Sequence, residues 1–306
     1  RVLVLCSIVT LAIHLHHSNK VIPWHVSLFS RDVYAQGLPM VRMGIGFIIA
    51  GIFGQGAEYV IRTLILHFGD LVAVGLYTSG YTLAVSYSNL IFVAFEADYF
   101  PRLSATQHDL RRMNQTVNQQ IEVGVLLVTP MLTLFVLAMP ILVPLLFSAK
   151  FVNAIPMAIC ATFYVFFRAF TLPVSYLALA KSDSRMYMLT ELVYDIFIAL
   201  AIPYAYKYWG LSGAGWALSV AGLLDMLSIH ALYAIKYHFR LDVSQLRLYL
   251  MQLLCFSVAV FASLQADLWM KAVAAIAMVA SVIISIIVMR SRTHIISNLK
   301  KRLWRK

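Results

Sequence analysis

The chain has 306 residues, of which 61% are hydrophobic and only 12% charged, with a mean hydropathy of +0.82. This excludes an ordinary soluble domain, in which about a quarter of residues are charged. The formal net charge of +11 does not point to nucleic acid, because the excess sits in loops and a tail beside apolar segments, where anionic lipid headgroups supply the counter-charge.

A membrane-spanning helix needs about 20 mainly apolar residues. That ruler finds about nine candidates, at 1 to 15, 38 to 58, 73 to 97, 121 to 147, 154 to 180, 187 to 206, 211 to 235, 246 to 264 and 268 to 289. The fold class is therefore an all-α integral membrane protein. The chain opens on Arg1 and enters the first apolar segment at once, which reads as a chain whose beginning is missing. The stretch from Tyr59 to Phe68 either extends the second span or lies at the interface as an amphipathic piece. Cys6, Cys160 and Cys255 lie inside apolar stretches with no CxxC or Cys/His spacing, so neither a disulfide framework nor a metal site is expected. His14, His16, His17 and His25 fall after the first span and read as interfacial.

Loop charge sets the orientation, because cytoplasmic loops collect Lys and Arg. The tail carries Arg290, Arg292, Lys300, Lys301, Arg302, Arg305 and Lys306, which places the C-terminus in the cytoplasm. Counting back across alternate loops, Lys236, Arg240 and Arg247, then Lys181 and Arg185, then Arg102, Arg111 and Arg112, then Lys20 and Arg31 fall on the same side. The opposite loops hold Lys150, Lys207 and Lys271.

Charges inside spans mark candidate functional residues, since they are costly there and usually face a bundle interior. Arg168 lies in the middle of the fifth span. Asp195 follows the short turn at Lys181 to Arg185 at a matching distance, so on antiparallel helices the two lie within roughly 5 Å in depth. Glu191 is one turn nearer the turn on the same face, and Asp225 lies near the centre of the next span. Two readings follow. Arg168 and Asp195 form a static ion pair between helices, or Arg168 walls a water-filled cavity that receives an anionic group, for which a guanidinium is well shaped. Arg42, one turn into its helix behind Gly37-Leu38-Pro39, either snorkels to the headgroups or lines the inner mouth of the same cavity. Glu58 and Arg62 pair locally at i, i+4, while Glu96, Asp98 and Glu122 read as solvated or capping charges at helix ends. Pro173, five residues after Arg168, removes a backbone bond and marks a hinge. Pro130, Pro140, Pro144, Pro156 and Pro203 interrupt other spans, and Gly44, Gly46, Gly51, Gly54 and Gly56 line the second, where small residues permit close helix packing. No nucleophile elbow, phosphate loop or HExxH is present, so the chain does not read as an enzyme.

Several short segments resemble a known family. Tyr99-Phe100-Pro101-Arg102-Leu103-Ser104 resembles the Y-x-P-x-L-S segment of polysaccharide flippases of the multidrug/oligosaccharidyl-lipid/polysaccharide exporter superfamily. Gly37-Leu38-Pro39, Val74-Gly75-Leu76-Tyr77, Leu145-Leu146-Phe147-Ser148-Ala149-Lys150-Phe151, Leu179-Ala180-Lys181 and Gly210-Leu211-Ser212-Gly213-Ala214-Gly215 are similar to family segments in the same order. In one place the chain departs from the family, reading Glu58-Tyr59-Val60-Ile61-Arg62 where members often carry an Asp-Arg pair.

The resemblance implies that residues 1–30 are the last helix of an N-terminal lobe and its linker, 31–240 a six-helix C-terminal lobe, and 241–306 two extra helices with a basic tail. It implies a substrate of undecaprenyl-pyrophosphate-linked oligosaccharide, moved across the bacterial cytoplasmic membrane by alternating access for O-antigen, capsule or exopolysaccharide synthesis. From the residues themselves no cofactor is expected beyond coupling to a proton or sodium gradient, in which Asp195, Glu191 and Asp225 would take part, with Arg168 and Arg42 as the expected substrate-binding residues. Membrane lipids and the polysaccharide polymerase and chain-length machinery are the implied partners, and nucleic acid is not. The competing readings are a drug/cation antiporter of the same superfamily and a membrane-embedded glycosyltransferase or ligase, the latter disfavoured by short, bare outer loops.

Overall fold

The computed structural model describes the backbone of residues 2–21, 31–265 and 267–303, and side chains for 6–18, 37, 38, 41, 44–265 and 267–291. The side chains of Arg42, Lys20, Arg31 and His25, and the tail cations from Arg292 onward, lie outside the described residues. The chain divides into two compact units, Arg1–Ile45 and Gly46–Lys306.

The first unit contains α1 (Val2–Val21) and the beginning of α2 (Arg31–Phe68). Helix α1 continues past the expected end at residue 15, so His14, His16 and His17 are helical and exposed rather than in a loop.

In the second unit α2 runs on to Phe68, which settles the ambiguous stretch from Tyr59 as helix. There follow α3 (Leu71–Tyr81), a π-helical turn (Thr82–Ser86), α4 (Tyr87–Ala105) and α5 (Leu110–Leu146). A 3-10 turn (Ala149–Ala154) leads into α6 (Ile155–Ala180), and α7 (Ser184–Tyr237), α8 (Val243–Ser263) and α9 (Leu268–Leu303) complete the chain. Helix α7 breaks at Gly210, whose φ of 64° and ψ of −156° are non-helical and open only to glycine at low cost. Its first arm, 184–209, runs antiparallel to α6, and its second arm, 211–237, runs back parallel to α6, which the pairs Tyr164 with Tyr194, Tyr164 with Ser219 and Phe170 with His230 establish.

Among the described residues six helices are long and apolar enough to cross a membrane, by length and composition: 44–68, 110–146, 149–180, 184–237, 243–263 and 268–291. The folded-back α7 supplies two of the expected spans. The expected span 73 to 97 is not among the six, because the π turn divides it between α3 and α4. Four aspartates start helices by accepting backbone N–H bonds: Asp70 from Ala73, Asp109 from Arg111 and Arg112, Asp183 from Met186, and Asp242 from Ser244. A carboxylate there satisfies orphan donors and opposes the helix dipole.

Helix α6 is the core of this unit, buried along nearly its whole length between α5 and the two arms of α7. The second arm reaches it through glycines: a Cβ at Gly215 would sit 2.5 Å from the Met157 carbonyl oxygen, and one at Gly222 would sit 2.8 Å from Tyr164 Cδ2. The Tyr99 to Ser104 segment ties α4 to this core, since Leu103 is fully buried and Tyr99 Oη donates to the Pro173 carbonyl at 2.7 Å. Helices α8 and α9 are held by buried polar contacts. Gln252 Nε2 donates to Ser285 Oγ at 3.0 Å, and Ser281 Oγ donates to Gln252 Oε1 at 2.7 Å. Glu122, expected at a solvated or capping end, is only 7% exposed and accepts a 2.7 Å bond from Gln245 Nε2 of α8. Asp98 does behave as a surface charge, pairing with Arg102 at 2.7 Å, and Glu58 pairs with Arg62 at 2.6 Å as the i, i+4 spacing predicts.

Candidate functional site

Beyond residue 157 every side chain of α6 is buried except Arg168, Leu172 and Tyr176. Their i, i+4, i+8 spacing puts them on one stripe of the helix, and Arg168 is the charged member. Tyr164, one turn earlier on the same face, is the hydroxyl to which Arg168 Nη1 donates at 3.0 Å. The position of Tyr164 is fixed from behind. Its backbone N–H donates to Ser219 Oγ at 3.2 Å, and that hydroxyl donates to the Cys160 carbonyl at 2.6 Å, so a side chain of α7 is inserted into the backbone of α6 just before Arg168. Tyr194 stacks on Tyr164 with ring centroids 6.2 Å apart and the planes 17° from parallel.

Arg168, Tyr164, Glu191 and Asp225, with Ser175 and Gly222, line a narrow cavity of about 20 Å³, enough for about one water. Among the described residues no carboxylate lies within 4.0 Å of the guanidinium, and Arg168 Nε is buried without a hydrogen-bond partner. The site is thus a cation with several of its five donors uncommitted, near but not paired with two carboxylates.

The expected pairing of Arg168 with Asp195 is not formed. Asp195 is 8% exposed and turns its carboxylate to α2, where a Cβ on Gly54 would lie 3.7 Å from Oδ2. Helix α7's first arm lies between α6 and α2, and two residues at matching depth can still face opposite neighbours. Glu191 and Asp225 are brought to Arg168 as expected; Asp195 is not. Pro173 sits inside α6, and the carbonyl of Ala169 that it frees faces α5, where a Cβ on Gly124 would come within 3.3 Å of it. Tyr164 and Tyr194 are the members of the site that the sequence reading missed. Tyr164 was signalled by its i−4 spacing from Arg168; Tyr194 carried no such signal.

A second, apolar groove of about 500 Å³ runs between the two arms of α7, lined by Leu189, Val193, Phe197, Leu224 and Leu232, and it shares Asp225 and Ile229 with the Arg168 cavity. The polar cavity therefore has an apolar neighbour across one wall. The narrow space of about 20 Å³ is too small for a phosphate as it stands.

A family model described as polysaccharide biosynthesis protein matches residues 2–156, half of the chain. The chain belongs to that family. The match bears out the kinship expected from the Tyr99 to Ser104 segment and from its companions up to Phe151, and it ends before Arg168 and before the segments at 179–181 and 210–215. None of the curated proteins matches this chain. Among solved structures, the lipid II flippase MurJ in an inward closed conformation is similar, with a TM-score of 0.56 and 14% identity. The likeness covers 90% of this chain and 59% of that one, so this chain spans about three fifths of that flippase's length. At this identity the likeness establishes the fold. The chain is a multi-pass membrane protein, helical throughout its regular described segments, with a fold similar to that structure.

Proposed function

We propose that the protein carrying this chain flips a lipid-linked oligosaccharide across the membrane by alternating access, and that Arg168 receives the anionic phosphate group. The observation that supports this most strongly is the half-buried guanidinium in mid-span, which among the described residues has no carboxylate within 4.0 Å and whose buried Nε has no partner. A charge in such a place is costly unless it is used. Glycan and pyrophosphate do not cross hydrocarbon unaided, and a cationic wall lowers the cost for the phosphate while the lipid tail stays in the bilayer. The fold likeness to a lipid II flippase and the family's description support the same substrate class.

In finer terms, the substrate is an undecaprenyl-pyrophosphate-linked repeat unit for O-antigen, capsule or exopolysaccharide, moved outward across the bacterial inner membrane with the C-terminus cytoplasmic. Arg42 lines the inner mouth, Pro173 is the hinge at which α6 bends to open the site, and Glu191, Asp225 and Asp195 couple the cycle to a proton or sodium gradient. Membrane lipids surround it, and the polymerase and chain-length machinery take its product. No bond is made or broken by the chain itself.

The test is complementation in a bacterium whose own flippase gene is deleted, with the complete protein expressed at matched level. Arg168→Ala and Arg168→Lys are both expected to abolish surface polysaccharide, because a lysine supplies charge without the planar pair of donors. Full polysaccharide from both variants would remove Arg168 from the mechanism. Loss of cationic-drug resistance with polysaccharide unaffected would favour the antiporter.

A further inference from the structure

Past the end of the second arm of α7, residues 238–242 form a non-helical strap that leads into α8. Two asparagines one turn apart on α5 hold it. Asn114 Oδ1 accepts from Arg240 N at 3.2 Å and its Nδ2 donates to the His238 carbonyl at 3.4 Å; Asn118 Nδ2 donates to the Arg240 carbonyl at 2.9 Å and its Oδ1 accepts from Asp242 N at 2.9 Å. His238 itself has φ 55°, the left-handed cap that ends α7. The strap backbone is thus pinned along one edge by α5, as a strand is by its neighbour.

Between this strap and the start of α5 lies an open basin of about 720 Å³ lined by Leu110, Arg111, Asn114, His238, Phe239 and Arg240. Among the described residues neither Arg111 nor Arg240 has a carboxylate within 4.0 Å. The nearby acids are committed elsewhere: Asp109 caps α5 and pairs with Arg112 at 3.3 Å, and Asp242 caps α8. The buried ring of Phe239 and the side chain of Leu110 add apolar surface. The basin stands at the ends of three helices long enough to span a bilayer, α5, α7 and α8, and so at headgroup depth.

We propose that this basin is a binding site for the phosphate of an anionic phospholipid headgroup. The two guanidiniums take the phosphate through charge-assisted bonds, His238 adds a third donor, and the glycerol and upper acyl chain lie against Phe239 and Leu110. Basic pockets between spanning helices recognise such headgroups, and the asparagine ladder holds this one ready before the lipid arrives. Its lining shares no residue with that of the Arg168 cavity, and its occupant is a constituent of the surrounding bilayer.

The full chain is placed in nanodiscs of phosphatidylcholine with or without about one third phosphatidylglycerol, extracted into detergent, and its retained lipids are counted by native mass spectrometry. One phosphatidylglycerol is expected to stay bound in preference to phosphatidylcholine. Each arginine near a membrane surface contributes about fivefold in affinity, so Arg111→Gln with Arg240→Gln should weaken retention about 25-fold, while Arg111→Lys with Arg240→Lys keeps most of it. Arg185→Gln with Arg290→Gln, which removes two exposed cations elsewhere, should change nothing. Equal retention by the double glutamine variant, or equal loss in the Arg185 and Arg290 control, overturns the site. Inorganic phosphate competing as well as phosphatidylglycerol would overturn the lipid as its occupant and leave a soluble anion.

Discussion

Gly222 offers a direct test of how the site is built. Its absent side chain lets the second arm of α7 close on α6, and an added Cβ would stand 2.8 Å from Tyr164 Cδ2 and 3.3 Å from Tyr164 Cα. Ordinary contact begins at 3.4 Å, so the ring must retreat by about 0.6 Å and the backbone by about 0.1 Å. The ring cannot retreat freely, because Tyr194 stacks on it and Ser219 holds the Tyr164 backbone. Overpacking of this kind costs about 1–3 kcal/mol, equivalent to a fall in melting temperature of about 2–4 °C per kcal/mol. Gly222→Ala should therefore melt several degrees below wild type in detergent, by a fluorescence or light-scattering ramp. It should also impair polysaccharide assembly beyond its effect on protein level, because the displaced tyrosine carries the hydroxyl that receives Arg168. Gly75→Ala, where nothing lies within 4 Å of the new methyl, should be neutral or stabilising by about 0.5–1 kcal/mol through helix propensity. If Gly222→Ala melts with or above wild type, the close approach of α6 and α7 is wrong.

Two further perturbations follow from buried or shielded polar contacts. Gln252 is fully buried between α8 and α9, so Gln252→Ala leaves Ser281 and Ser285 short of a partner and should destabilise the chain by about 1–2 kcal/mol; a melting temperature unchanged from wild type contradicts the network. Burial works against the charge on Asp183, yet Lys236 Nζ at 2.6 Å, the Tyr237 hydroxyl at 2.8 Å and the Met186 N–H at 3.1 Å outweigh it and hold the carboxyl below its ordinary value. The stability this lends is fully present above the unfolded value of about 3.9 and is lost as pH falls through the lower folded value. The gap in melting temperature between wild type and Asp183→Asn should thus be constant above about pH 5 and close under acid, and a gap that widens under acid would reverse the sign of the effect.

Much of this architecture is legible in the sequence, and the failures have a common physical origin. Apolar length locates the spans, Gly210 marks the reversal of α7, and aspartates at 70, 109, 183 and 242 stand where helix starts want a carboxylate. Depth along a helix can also be counted, which is why Arg168, Glu191 and Asp225 were foreseen together. Azimuth cannot be counted without knowing which helix lies on which side. Asp195 has the right depth for Arg168 but faces Gly54 of α2, and nothing local in the sequence records that α2 packs there. The same holds for Glu122, whose partner Gln245 is 123 residues away. The π turn that divides 73 to 97 leaves no mark in hydropathy.

The most direct measurement is transport by the complete protein reconstituted in vesicles, comparing a pyrophosphate-linked lipid oligosaccharide with its monophosphate-linked counterpart. If Arg168 takes the phosphate group, wild type moves the pyrophosphate form faster and Arg168→Gln loses at least about tenfold, a single charged hydrogen bond being about 1.5–3 kcal/mol, with the preference between the two lipids lost. Equal transport of both lipids by wild type, or an Arg168→Gln protein that keeps both rate and preference, would contradict it.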